Sequence, residues 1–322
     1  MYQKTTFLNN PDASNEEPKK FTFDYSYWSH DGFRETAKGL ILRDPNHPNG
    51  DKYCDQLTVY NDLGKGVLHN AWEGYNSTLF AYGQTSSGKS WSIVGYGVNK
   101  GIVPMFCEDL FKNIADSKSA GEKIEFEVRF SMLEIYNEIV RDLINVSHTK
   151  KRGLKVREHP TKGFFAEGLS STLVTSYKDI ETQLDFGTTN RSIASTNMNA
   201  TSSRAHTIVG ITLIQKSRNV KGQETSKTSV VNLVDLAGSE RASATGATGD
   251  RLKESAAINQ SLSCLGNCIH SLAERATGRN VRAVSLIPGP QVPEIKKKSV
   301  NKESRRSKKE PPRNSDTGPP YD

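Results

Sequence analysis

Long apolar runs are missing from this sequence. No stretch of about 18 apolar residues occurs, hydrophobic residues make up 34% of the chain, and mean hydropathy is −0.61. A membrane-spanning helix is therefore not expected. The opening, Met1-Tyr2-Gln3-Lys4-Thr5-Thr6, has no apolar stretch behind a basic one, so it gives no sign of a signal peptide. Cysteine is scarce as well. Four in 322 residues do not make a disulfide framework, and a reducing cytosol is the expected setting. No internal repeat is visible. What remains is a length that suits one large domain or two small ones, with enough chain for a substantial core.

The charge is uneven. Of the formal +7, the segment from Gln291 to Asp322 supplies more than half, with nine Lys and Arg against five Asp and Glu. That segment also holds five prolines and only three branched aliphatics, Val292, Ile295 and Val300. It cannot bury enough to order itself and reads as disordered. Its basic clusters, Lys296 to Lys298 and Arg305 to Lys309, admit a nuclear signal, a nucleic-acid patch or a solvated terminus. No aromatic is interleaved among them, which argues against base stacking and for the solvated terminus. Residues 1 to 290 read as a single globular unit.

Within that unit strand and helix patterns alternate. Thr78-Leu79-Phe80-Ala81-Tyr82 is a short apolar run that ends at a glycine, as a buried strand should. Ile124, Phe126, Val128 and Phe130 alternate with charged residues, the period of a half-buried strand. Residues 208–214 and 230–234 are further strand candidates. From Arg251 to Ala273 the period changes: Ile258, Leu262, Leu265, Ile269 and Leu272 fall on one stripe of a helix. The stripe lasts about two heptads and contains Gly266, so a helix packed on the domain is expected rather than a coiled-coil seam. The mixture predicts an α/β domain around a mostly buried sheet.

Three motifs carry chemistry. Gly83-Gln84-Thr85-Ser86-Ser87-Gly88-Lys89-Ser90 satisfies G-x-x-x-x-G-K-[ST] directly after a predicted strand. Its glycines let successive N–H groups curl around one anion. Lys89 would reach the β- and γ-phosphates, and the Ser90 hydroxyl would hold Mg²⁺. The second motif is the predicted strand Val230 to Val234 running into Asp235-Leu236-Ala237-Gly238. Asp235 could bind the Mg²⁺ shell through water, and the Gly238 N–H could sense a γ-phosphate. In the third, Asn199-Ala200-Thr201-Ser202-Ser203-Arg204-Ala205-His206, adjacent hydroxyls and an Arg could meet the γ-phosphate and the metal.

In this order the three motifs resemble the kinesin motor domain. Ala81 to Ser90 is similar to its P-loop, Asn199 to His206 to the N-x-x-S-S-R-S-H of switch I, and Asp235-Leu236-Ala237-Gly238-Ser239-Glu240 to its switch II. The resemblance runs from about Phe21 to about Arg282. Phe21-Thr22-Phe23-Asp24-Tyr25-Ser26-Tyr27-Trp28-Ser29-His30 and Val156-Arg157-Glu158-His159-Pro160 resemble the third, vesicle-transporting class.

The resemblance implies a P-loop NTPase fold of three layers, α-β-α, with a mostly parallel central sheet. It divides the chain into a partly ordered segment (1–20), a motor-like domain (21–282) and a disordered basic tail (283–322). It implies ATP and Mg²⁺ as cofactors, the microtubule (tubulin) as partner, and the cytoplasm and cytoskeleton as location. Gly83, Gln84, Thr85, Ser86, Ser87, Gly88, Lys89, Ser90 and Trp91 would bind nucleotide, and Ser90, Ser203 and Asp235 would hold the metal. Ser202 and Ser203 would position the attacking water, Arg204 would pair with Glu240, and Glu240 would relay a proton. Gly238 completes the expected catalytic set. The helix from Ile258 to Ala273 and the loop before it (Ser243 to Lys253) would lie on the acidic microtubule surface, with Arg251, Lys253 and Arg275 supplying charge.

The sequence departs from the family pattern in four places. Ser86 stands where the kinesin P-loop usually has glycine and is expected to crowd the turn if its φ is positive. Ala205 removes one hydroxyl from switch I. No R-V-R-P strand precedes Phe21, and after Arg282 the chain reads Ala283-Val284-Ser285-Leu286-Ile287-Pro288 instead of the family's continuation. The expected sheet thus lacks its first strand and its closing strand and helix. Exposed apolar faces and unpaired edges then lead us to expect a chain that by itself is poorly stable and not a competent motor. The alternative readings are a non-hydrolysing microtubule-binding module and a nucleic-acid binder built on the tail.

Overall fold

The computed structural model describes residues 4–13, 15–148, 153–160, 163–197, 202–219, 222–240 and 250–278. All of them fall within one unit, Met1–Val284. The basic tail and residues 241–249 and 198–201 lie outside the described residues.

Strands are numbered along the chain. Four antiparallel ribbons stand apart from the main sheet: β1 (Thr5–Leu8) with β2 (Lys19–Thr22), β3 (Phe33–Glu35) with β4 (Ile41–Arg43), β6 (Gly95–Tyr96) with β7 (Asn99–Lys100), and β10 (Val156–His159) with β11 (Gly163–Ala166). The central sheet holds β5 (Ser77–Ala81), β8 (Ile124–Tyr136), β9 (Ile139–Asp142), β12 (Thr172–Val174), β13 (His206–Arg218) and β14 (Glu224–Asp235). Its order is β12-β8-β13-β14-β5, with β9 also on β8. The helices are α1 (Gln56–Val59), α2 (Lys65–Trp72), α3 (Lys89–Ile93), α4 (Ile102–Ser119), α5 (Tyr177–Asn197) and α6 (Asp250–Ala276).

The sheet is mixed, which corrects the expectation of a mostly parallel one. Only β14 and β5 run parallel, while β12–β8, β8–β9, β8–β13 and β13–β14 are antiparallel. Connection length is the reason for two of these pairs. Asn137 and Glu138, with φ of 49° and 62°, make the two-residue turn from β8 to β9, and both angles suit a type I′ hairpin. Residues 219–223 join β13 to β14, far too few for the crossover that a parallel pair needs.

Alternation along the strands decides which face is covered. Val128, Phe130 and Met132 of β8, Val209, Ile211 and Leu213 of β13, and Val231 and Leu233 of β14 are buried in one cluster. Against them pack Val103, Phe106, Cys107 and Leu110 of α4, Leu68 and Ala71 of α2, and Ile180 and Leu184 of α5. Burying side chains of this size contributes ~1.5–3 kcal/mol each, so this face supplies most of the stability. Helix α5 comes very close to β8, since a Cβ on Gly187 would lie 2.4 Å from the Met132 sulfur. Residues of opposite parity, Ile208 and Val234, join Leu236 and meet Ile258, Leu262 and Leu265 of α6, forming the third layer. The predicted α6 stripe is packed only in this first half. Ile269 is 46% exposed and Leu272 64% exposed.

A buried carboxylate closes the β9 end of the sheet. Asp142 is inaccessible to solvent; its Oδ1 accepts from the Ile144 and Asn145 N–H groups and its Oδ2 from the Ser170 N–H. Asp142→Ala would leave these donors without their charged acceptor. A loss of about 3 kcal/mol in urea unfolding free energy is expected; a change below about 0.5 kcal/mol would contradict the assignment.

Candidate functional site

Strand register brings the three motifs to one end of the sheet. Asp235, the last residue of β14, pairs with Ala81, the last of β5, and with Thr207, the second of β13. The chain therefore leaves β5 into Gly83–Ser90, leaves β14 into Leu236–Glu240, and enters β13 from the short 3₁₀ turn Ser202–Arg204, all side by side. Asn76 holds the other end of the pair, its Oδ1 accepting the Val230 N–H at 2.8 Å.

The P-loop takes the backbone its sequence foretells, including the departure. Gly88 precedes α3 in a left-handed conformation with φ of 89°, and Ser86 has φ of 65°. Glycine reaches that region freely, whereas a Ser Cβ crowds the backbone there. Lys89 folds back on the loop, its Nζ donating to the carbonyls of Gly83 at 3.0 Å and Gln84 at 2.9 Å. Ser90 Oγ donates to Asp235 Oδ2 at 2.6 Å. Asp235 is 3% exposed, and its Oδ1 accepts no hydrogen bond among the described residues. This donor set fits a hydrated Mg²⁺, which takes few protein ligands and keeps its waters: a hydroxyl and a carboxylate meet, with one buried acceptor still open.

Four successive N–H groups after Asp235 go to four partners. Leu236 donates to the Ala81 carbonyl (3.3 Å), Ala237 to His206 Nδ1 (3.1 Å), Gly238 to the Ser203 carbonyl (2.7 Å) and Ser239 to the Gly83 carbonyl (3.0 Å). The two outer N–H groups thus stitch the loop to the P-loop side and the two inner ones to the β13 side. Glu240 follows and docks on the P-loop. Its carboxylate accepts from the Thr85 N–H at 2.8 Å and from the Thr85 hydroxyl at 2.5 Å. Partial burial works to raise its pKa, yet the Thr85 donors and nearby Lys89 hold it below the ordinary value. A Cβ on Gly238 would fall 2.3 Å from this carboxylate and 2.6 Å from the Thr85 hydroxyl, so only glycine fits beneath the contact.

Other expected residues are placed as follows. A cleft of about 340 Å³ is lined by Lys89, Ser90, Trp91, Tyr96, Ser203 and Asp235 among others. Trp91 also borders two larger neighbouring clefts of about 470 and 570 Å³, and its ring lies 5.9 Å from that of Tyr96. Ser203 and Arg204 are half-buried beside the loop. Arg275 is exposed near the end of α6, whereas Arg251 and Lys253 belong to its first turns, where only the backbone is described.

Sequence reasoning missed Arg191. It reaches from α5 toward the base of the cleft, with Nη1 3.7 Å from Asp235 Oδ2, and it is 14% exposed. Its charge also favours the ionised form of Glu134, against the burial that raises that carboxyl's pKa. The polar run Thr188-Thr189-Asn190-Arg191-Ser192 carries no period that could have announced it.

A family model described as the kinesin motor domain matches residues 2–288. The chain belongs to that family. The match starts well before Phe21 and takes in the β1–β2 ribbon. Among curated relatives, kinesin-related protein 1 of Dictyostelium discoideum is 47% identical over 290 residues, 87% of this chain and 12% of the relative. The human kinesin-like protein KIF28P is 46% identical over 283 residues, 87% of this chain and 28% of the relative. This kinesin motor domain thus spans well under a third of either relative. Among solved structures, KIF14 residues 391–755 with ADP in complex with a microtubule is 40% identical with a TM-score of 0.73, covering 88% of this chain and 74% of that one. Nucleotide binding and an α/β kinesin motor fold follow from membership.

Strain at Ser86 sets a prediction. Ser86→Gly keeps the loop path while removing the left-handed penalty, so stability should rise by about 0.5–1 kcal/mol after allowing for the freer unfolded chain. Urea unfolding checks the sign; a loss of stability would show that the Ser86 side chain is needed where it stands.

Proposed function

We propose that this chain is the motor domain of an ATP-driven microtubule motor, binding ATP with Mg²⁺ and coupling hydrolysis to microtubule attachment and movement. The observation that carries the reading is the Ser90–Asp235 contact at 2.6 Å, because it ties the P-loop to the loop that would report the state of the terminal phosphate. Similarity to two KIF14 structures in complex with a microtubule supports the choice of partner. Association with the cytoskeleton, in the cytoplasm, follows from this reading.

The roles divide by atom. The P-loop backbone from Gly83 to Ser90 would cradle the phosphates, and Trp91 would border the base. Lys89 would exchange the Gly83 and Gln84 carbonyls for phosphate oxygens, a stronger pairing with full negative charge. Ser90 and Asp235 would hold Mg²⁺, with Asp235 Oδ1 taking one of its waters and Ser203 near by. Bound Mg²⁺ would neutralise charge on the terminal phosphates. Gly238 N–H would give up the Ser203 carbonyl to meet the γ-phosphate. Glu240 would leave Thr85 to pair with Arg204, where its carboxylate could take a proton from water held by Ser203. Basic Arg251, Lys253 and Arg275 on α6 would face the acidic partner surface.

ATP turnover of the purified chain, with and without microtubules, tests the proposal. Turnover that rises with microtubules, and falls at least ~100-fold in Lys89→Ala through lost phosphate stabilisation, is the expected result. Microtubule binding without turnover would replace it with the non-hydrolysing module. The same assay decides whether this chain by itself is a competent motor.

A further inference from the structure

We propose that His206 and Ser261 form the polar link by which the loop 236–239 positions helix α6, so that a nucleotide-driven shift of the loop is passed to the helix. The inference rests on the reading of this chain as a nucleotide-driven motor domain, and it names the side chains that would carry the coupling.

The direction of every hydrogen bond in the link is fixed. Ala237 is fully buried, and its N–H donates to His206 Nδ1 at 3.1 Å. An imidazole nitrogen that accepts a hydrogen bond carries no proton, so in the neutral ring the proton sits on Nε2. Nε2 lies 3.2 Å from Ser261 Oγ and donates to it. The Ser261 hydroxyl then sends its own hydrogen to the Ile258 carbonyl, one turn back on α6, at 2.7 Å. Three bonds therefore run with one polarity from a buried amide of the loop into the backbone of the helix. Burial holds the His206 pKa below its ordinary value, against a weaker opposing pull from Asp235. That keeps the ring in the neutral form that the bonding requires.

The rest of the loop–helix contact cannot do this work as well. Among the described residues it consists of Ile208, Val234 and Leu236 on the sheet side and Ile258, Leu262 and Leu265 on the helix. Apolar contact is non-directional, and methyl groups can slide past each other at little cost. A hydrogen bond loses its value within a few tenths of an ångström or a few tens of degrees. Ser261 stands next to Leu262 at the middle of that contact, so the polar link sets the register of an otherwise slippery junction. His206 is also the first residue of β13, two positions after Arg204. His206 thus adjoins the turn 202–204 through the chain, while its ring touches the loop 236–239 through Nδ1 and α6 through Nε2.

Amide hydrogen exchange on the full chain tests the link, comparing ADP with a non-hydrolysable ATP analogue, both with Mg²⁺. In the unaltered chain, exchange over residues 256–272 should differ at least ~3-fold between the two nucleotides, a coupling of allosteric size. In Ser261→Ala that difference should vanish while nucleotide protection of residues 83–90 is kept, and Ser261→Thr, which restores a hydroxyl, should bring it back. A response in Ser261→Ala equal to the unaltered chain would overturn the proposal, as would no response of α6 in the unaltered chain. Failure of the motor reading shows elsewhere: ATP turnover indifferent to microtubules, with the α6 response intact, removes that reading and leaves the link standing.

Discussion

The parallel pairing of β5 with β14, in the register that sets Ala81 beside Asp235, is the contact on which the rest of the site depends. Both strands run the same way and stop together, so the P-loop and the loop 236–240 leave the sheet at one point. A one-residue slip would turn Asp235 to the opposite face and carry its carboxylate away from Ser90. Asn76 at the start of the pair and the Leu236 N–H at its end clamp that register from both sides. The antiparallel neighbour β13 completes the arrangement by beginning where the other two end.

From that register follows a loop with nothing spare. Residues 236–239 spend each N–H on a different element, and Glu240 spends both carboxylate oxygens on Thr85. Such a loop cannot shift gradually; it exchanges one set of partners for another. Because two of its partners lie on the P-loop side and two on the β13 side, a ligand that takes over any one of them biases the whole set. Helix α6 meets this end of the sheet through the apolar contact around Leu236 and Leu262 and through the directed His206–Ser261 chain.

Much of this was legible in the sequence because it is local. The strand before Gly83, the strand before Asp235 and the period of α6 are patterns within a few turns of chain, and Ser86 announced its own strain by standing where the resemblance expects glycine. Helix α4, the largest contributor to the core, is written in the sequence as the helical stripe Ile102, Phe106, Cys107, Leu110 and Ile114, although the sequence reading did not place it. Helix α5 offered less, since among the described residues only Ile180 and Leu184 of its apolar side chains are buried. The parallel sheet implied by resemblance gave way to short connections, Asn137-Glu138 and residues 219–223. Thr85 and Glu240 lie 155 positions apart, and Arg191 meets Asp235 only through tertiary packing. No period or spacing encodes such pairs.

The claim that strand register couples Ser90 to Asp235 in holding Mg²⁺-nucleotide is tested most directly by a double-mutant cycle. Ser90→Ala, Asp235→Asn and the double variant would each be titrated with ADP, with and without Mg²⁺. The account predicts strong non-additivity in the Mg²⁺-dependent affinity, a coupling of at least ~1 kcal/mol, with the double variant little weaker than the worse single one. Additivity within about 0.3 kcal/mol would mean that the two groups act independently, contradicting the account.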